Sequence, residues 1–187
     1  RAILSVNPYV NESPCFSNVF SWMYYGGKTA FLQDANSMIM RPNEFIEVLK
    51  HLRKTLPTLT RVTSYTRSKT LAQRKLEELV AIREAGLDRI HVGLETGDDE
   101  ILQRVRKGVT AAEQIEGGQK AIAAGFQLSE YWMPDLGGRE RWRQHAENTA
   151  RVLNEINPHY IRSRPFVPRQ GTEIFEEYEK GRLHISS

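Results

Sequence analysis

The sequence predicts an α/β protein, a parallel sheet that curls into a partial (β/α)6 TIM-like barrel. Three observations carry this expectation. Short β-branched or aromatic runs alternate with longer amphipathic stretches. From the second run onward the strand starts, at residues 29, 61, 89, 126 and 159, recur at the spacing of βα units. Stop signals stand between helical stretches and the runs that follow: Gly86, Gly125 and Asn157-Pro158. An open doubly wound sheet is the runner-up and would use the same strand ends, but no glycine-rich dinucleotide fingerprint supports it.

Taken in order, the first strand is expected at AILSV (2–6). FSNVFSWMYY (16–25) reads as the last turns of a helix stopped by Gly26-Gly27, and TAFLQ (29–33) as the second strand. In PNEFIEVLKHLRKTLP, Phe45, Val48, Leu49 and Leu52 recur at the three-to-four spacing of one buried helix face. RVTSYT (61–66) is the third strand. LAQRKLEELVAIREAG (71–86) reads as one helix through Leu71, Leu76, Leu79, Val80 and Ile82, before the fourth strand RIHVGLE (89–95). Helices are expected at 98–106 and 111–124, with Asp98 and Thr110 as N-caps and Glu113 completing a capping box with Thr110. FQLSEYWM (126–133), a helix at 139–156, HYIRSRPF (159–166) and a helix at 172–180 finish the pattern.

With 187 residues and 40% hydrophobic residues, the chain is expected to be one domain with a sizeable core. The net charge of +3, with acids and bases mixed, does not indicate nucleic acid. No stretch is apolar enough for a membrane span, and RAILSVNPYV lacks the apolar run of a signal peptide. A single cysteine, Cys15, rules out an intramolecular disulfide and points to a reducing, cytoplasmic setting. The opening in mid-strand and the ending HISS suggest a piece of a longer chain.

Barrel enzymes place their chemistry at the C-terminal ends of the strands. That rule selects Asn7, Gln33 to Asn36, Tyr65 to Arg67, Glu95 to Gly97, Met133 to Asp135 and Arg162 to Arg164. His91 lies inside an apolar strand and reads as a satisfied core histidine. Tyr131, Trp132 and Met133 read as core before cofactor wall, and Arg139, Arg141 and Arg143 as the solvated start of a helix.

FLQDANSMIM, SYTRSKT and the run from IREAGLDRIHVGLETGDDEIL through RKGVT together resemble the radical S-adenosylmethionine superfamily, in the group with Elp-, MiaB- and NifB-like catalytic domains. The resemblance covers about residues 29 to 181 and is strongest in HVGLETGDDEIL followed by RKGVT. It implies an enzyme in which three cysteines spaced CxxxCxxC hold a [4Fe-4S] cluster. The reduced cluster cleaves S-adenosylmethionine to a 5′-deoxyadenosyl radical that takes hydrogen from a substrate, here unidentified. It also implies an external electron donor such as flavodoxin or ferredoxin. Carried over by position, Gln33, Asp34 and Asn36 would contact the methionine amino group, where acceptors suit a donating amine. Ser64, Tyr65 and Arg67 would meet the carboxylate or ribose, with Arg67 able to pair bidentately. Glu95 would accept from ribose hydroxyls, Trp132 and Met133 would pack near adenine, and Arg162 and Arg164 would face substrate.

Cys15 is the expected first cluster ligand. Its partners would fall at Val19 and Trp22, which cannot bind iron. The stretch from Val6 to Thr29 is also too short for a cluster loop and a complete first helix, so a segment is expected to be missing at Cys15–Phe16. A barrel without a cluster, acting as a binding or scaffold domain, is the alternative. A hydrolase or lyase using Asp34, Glu95 and His91 is a weaker third reading, since no nucleophile–base pair is readable.

Overall fold

The computed structural model describes residues 14–33 and 35–185, so the expected strand at 2–6, Asn7 and Asp34 lie outside it. Five strands form one sheet, β1 Thr29–Leu32, β2 Arg61–Thr66, β3 Arg89–Glu95, β4 Gln127–Trp132 and β5 Tyr160–Ser163, parallel throughout and in sequence order. The helices are α1 Pro14–Tyr24, α2 Pro42–Thr55, α3 Ser68–Gln73, α4 Leu76–Glu84, α5 Asp99–Arg104, α6 Ala111–Ala123, α7 Gly138–Ile156 and α8 Glu173–Glu179. Parallel neighbours need a crossover, and helices supply each one, so the chain is α/β as its sequence pattern requires.

Alternation along each strand divides its side chains between two faces. Val62, Ile90, Val92, Leu94 and Leu128 pack against the helices, meeting Leu49 from α2, Leu71 from α3, Leu79 and Ile82 from α4, and Val152 and Ile156 from α7. A second apolar cluster, Ile101, Leu136, Phe166 and Leu183, closes the end of the molecule beyond the strand tips. Gly117 in α6 lets that helix lie against α3: a Cβ there would stand 2.5 Å from the Ser68 carbonyl oxygen.

The caps act as their residue types dictate. Thr110 Oγ1 accepts from the Glu113 N–H at 3.2 Å, while the Glu113 carboxylate accepts from the Thr110 N–H at 2.8 Å. Asn157 ends α7 in the left-handed conformation, φ 51°. The stretch at 71–86 departs from expectation, being two helices. Arg74 is extended between them, its guanidinium donating to the carbonyls of Met38, at 2.7 Å, and Met40. That anchor takes Arg74 out of the helix, and the Glu78 carboxylate starts α4 by accepting from the Lys75 N–H at 3.2 Å. Periodicity alone runs across such a break, because the apolar face resumes in phase.

Arg141 also departs from expectation. α7 is kinked at this residue (φ −133°), and its guanidinium grips Asp98 at 2.8 and 3.1 Å. The 1% exposed Asp98 side chain accepts also from Asn148 Nδ2 at 2.7 Å and from the Ile101 N–H at 3.1 Å. Burial works to raise its carboxyl, but the bonds from Arg141 and Asn148 prevail and hold it below the ordinary range. Beside it, Thr96 Oγ1 accepts from the Asp98 N–H at 3.0 Å and donates to His145 Nδ1 at 2.8 Å. His145 Nε2 donates to the Met133 carbonyl at 2.9 Å, since a carbonyl only accepts. This chain joins the loops after β3 and β4 to α7, fixing the backbone beneath the strand tips.

Candidate functional site

A cavity of about 570 Å³ opens at the C-terminal ends of β1 to β4, within the size range of small-molecule sites. Gln33, Ala35, Tyr65, Thr66, Arg67, Gly93, Glu95, Lys107, Tyr131 and Arg164 line it.

Glu95 is built into it most deliberately. The Thr96 N–H donates to the Leu94 carbonyl at 2.8 Å, so Glu95 is the middle of a three-residue turn with φ 62°. The β3–β4 register slips between Gly93 and Glu95 at the same point. A non-glycine residue held there costs about 1–3 kcal/mol and persists only where its surroundings hold it. Its carboxylate folds back over Gly93, whose missing Cβ makes room: a methyl there would lie 2.4 Å from Oε1. Lys107 Nζ, from the loop after α5, donates to that Oε1 at 2.9 Å and fixes its direction, leaving Oε2 for a ligand. Lys69 Nζ holds the same loop by donating to the Gly108 carbonyl at 2.9 Å.

Of the residues expected in the site, Gln33, Tyr65, Arg67 and Glu95 stand together on the cavity wall. Asn36 stands behind it, donating to Thr70 Oγ1 at 2.9 Å and accepting from Thr66 Oγ1 at 3.1 Å and from the Arg67 N–H at 3.3 Å. It joins the loops after β1 and β2 and so sets where Arg67 points. Ser64 is fully buried, its Oγ 2.8 Å from Ser37 Oγ and 3.2 Å from the Leu32 carbonyl. Met133 packs on the second apolar cluster, away from the cavity. Ala35, Thr66 and Arg164, also selected as strand ends, line it too, and Gly93, Lys107 and Tyr131 complete the lining beyond what the sequence suggested. Lys107 belongs to RKGVT, twelve residues beyond Glu95, and only the fold brings the two together.

His91 is buried as expected but not satisfied: Nδ1 has no hydrogen-bond partner among the described residues. Cys15 is exposed in the first turn of α1. No group of three or more His, Cys, Asp or Glu side chains placed to hold a metal occurs among the described residues.

A sequence profile of the Radical SAM superfamily matches residues 23–134, more than half of the chain. The chain belongs to the Radical SAM superfamily. Among curated relatives it is 27% identical over 128 residues to the threonylcarbamoyladenosine tRNA methylthiotransferase MtaB of Rickettsia prowazekii, covering 68% of this chain and 30% of that protein. The superfamily's barrel-type fold appears in the solved structures that resemble it. Elp3 of the archaeon Methanocaldococcus infernus superposes with a TM-score of 0.67 at 14% identity, over 84% of this chain and 41% of the other. Coproporphyrinogen III oxidase (HemN) from Escherichia coli gives 0.63 at 13% identity, over 76% and 32%. The chain spans less than a third of the length of the curated relatives it matches. No helix among the described residues is long and apolar enough to cross a membrane.

Proposed function

We propose that the cavity at the strand tips binds S-adenosylmethionine (SAM), and that this chain is the cofactor-binding barrel of a radical SAM protein. The observation that carries the reading is Glu95, held in a costly backbone conformation with one carboxylate oxygen fixed by Lys107 and the other left for a ligand. Glu95 would accept from the ribose hydroxyls. Gln33 presents an acceptor for the amino group, and the Arg67 guanidinium a fork for the carboxylate. Tyr65 and Tyr131 give the cavity the aromatic faces on which a nucleoside rests.

The [4Fe-4S] cluster of the superfamily does not fit the residues present. The sequence has one cysteine, and its CxxxCxxC partners are Val19 and Trp22. Trp22 is committed elsewhere, its indole N–H donating to the Thr29 carbonyl at 2.6 Å. All three positions fall on α1 rather than in a loop. No reaction step is therefore assigned through a cluster, and the activity proposed for this sequence is SAM binding. The radical-enzyme reading belongs to a chain in which two further cysteines stand after Cys15.

Calorimetric titration with SAM and with S-adenosylhomocysteine tests the proposal. Saturable binding weakened at least about tenfold by Glu95→Ala and by Arg67→Ala is expected, as for loss of charge-assisted bonds. Absence of binding, or binding indifferent to both changes, would leave the scaffold reading. Anaerobic reconstitution with iron and sulfide is expected to leave less than one cluster per chain, and a full brown cluster would restore the radical enzyme.

A further inference from the structure

Below the cavity, on the face of the sheet away from the helices, one side chain from each strand joins a continuous row. Phe31 of β1 meets Tyr65 of β2 edge-on with centroids 4.9 Å apart. His91 of β3 lies 5.9 Å from Phe31, 5.8 Å from Tyr65 and 5.7 Å from Tyr131 of β4. The Arg162 guanidinium of β5 stands 5.8 Å from the Tyr131 ring centroid. The register places Tyr65 opposite His91 and Tyr131 opposite Arg162, while Phe31, opposite Thr63, and Tyr131, opposite Gly93, join the row by diagonal steps of two residues.

Three properties separate this row from ordinary core. It is open, since Phe31 and Tyr65 remain 38% and 39% exposed although both carry large apolar surfaces. His91, 8% exposed, has an Nδ1 without a partner among the described residues, which a buried imidazole seldom tolerates. The field over the row is positive, because Arg162, Arg89 and Arg61 all disfavour charge on His91, adding to the effect of burial. An aromatic surface alone would suit either a ring or a cation, but three guanidiniums repel a cation. A ring carrying a negative charge satisfies the stacking faces, the guanidiniums and the imidazole nitrogen together.

We propose that this row is a second binding site, for a planar aromatic anion. Its Tyr65 and Tyr131 also line the cavity above, so the ligand would lie against whatever the cavity holds. Calling that ligand a substrate rests on the SAM reading of the cavity, whereas the site itself does not. Two sources of the charge share this chemistry, a phosphate on a nucleotide and a carboxylate on an aromatic acid.

The test is calorimetric titration of the full chain with uridine 5′-monophosphate and indole-3-carboxylate, against uridine and indole as uncharged controls. At least one anion is expected to bind about tenfold more tightly than its control. Uridine 5′-monophosphate alone would identify the phosphate source, and indole-3-carboxylate alone the carboxylate source. Phe31→Leu and Arg162→Gln, neither on the cavity wall, should each weaken that binding about tenfold while leaving S-adenosylhomocysteine binding unchanged. Because Arg162 is exposed, its replacement keeps the fold, which far-ultraviolet circular dichroism checks. Binding of neither anion, or binding that survives both substitutions, overturns the row as a site whatever the cavity binds. Anion binding without S-adenosylhomocysteine binding would instead sink the SAM reading and keep the row.

Discussion

Two carboxylates show how the strand tips trade stability against use. Glu95 carries a positive φ that glycine adopts freely, and its ion pair with Lys107 is partly exposed and so worth no more than about 1 kcal/mol. Glu95→Gly is therefore expected to raise stability by about 1 kcal/mol in urea unfolding, while SAM binding is lost. Equal or lower stability would mean that the turn is not strained. Glu130 of β4 is 1% exposed, and its Oε2 has no partner among the described residues. Burial pushes its carboxyl well above the ordinary range; the charge of Lys107 opposes this and that of Glu95 adds to it. The folded state thus keeps a proton that the unfolded chain releases near pH 4.5, and stability falls as pH rises from there through the folded pKa. Glu130→Gln keeps the shape and removes the titration, so melting temperatures of the two proteins should agree at pH 4 and separate, variant above parent, toward pH 8. Parallel curves across that range would contradict the burial argument. Neither behaviour was legible in the sequence: GLE gave Glu95 its strand-end place, but its φ depends on a register slip against β4, a long-range pairing.

Among the elements, the contact of α6 with α3 sets local preference against packing. Alanine at 117 would gain about 1 kcal/mol of helix propensity over glycine. Its Cβ would stand 2.5 Å from the Ser68 carbonyl, a backbone atom that cannot rotate away. Overpacking of this kind costs about 1–3 kcal/mol. Gly117→Ala should thus destabilise the protein by up to about 2 kcal/mol by urea melt, and a stabilised variant would mean that the helices separate freely. Strands β2 and β3 and the caps at Asp98 and Thr110 were readable because their determinants lie within a few residues. The break at Arg74 and the kink at Arg141 were not. Each is held by partners distant in sequence, Met38 in one case and Asp98 in the other. The same distinction divides the site: Gln33, Tyr65, Arg67 and Glu95 follow from strand ends, whereas Asn36 turned out to brace Arg67 because Thr70 reaches back to it.

For the whole molecule, acid should act first through the network between the strand tips and α7. Burial lowers the pKa of His145, against the pull of the Met133 carbonyl and of Asp98 and Asp135. The unfolded chain therefore takes up a proton first, and the His145 contribution to stability is lost as pH falls below about 6.5 through the folded pKa, against the gain from Glu130 over the same fall. The lowered Asp98 carboxyl adds a further loss as pH falls below about 4. His145→Gln is expected to be less stable than the parent at pH 8 and to lose part of the slope between about pH 6.5 and 5, the rest belonging to His91, whose pKa burial and the neighbouring arginines also lower. A slope unchanged in the variant would assign it to another group.

The five-stranded sheet leaves β5 at an edge, with Tyr160–Ser163 exposed throughout. An open row of peptide groups is a template on which another chain can polymerise. The edge is short, and Arg162 and Arg164 load it with charge, so two such edges meeting side by side would bring like charges together. The two arginines are thus gatekeepers against fibre growth as well as parts of the row and the cavity wall. Their joint replacement by isoleucine is expected to promote aggregation, visible as turbidity and thioflavin binding above those of the parent at the same concentration.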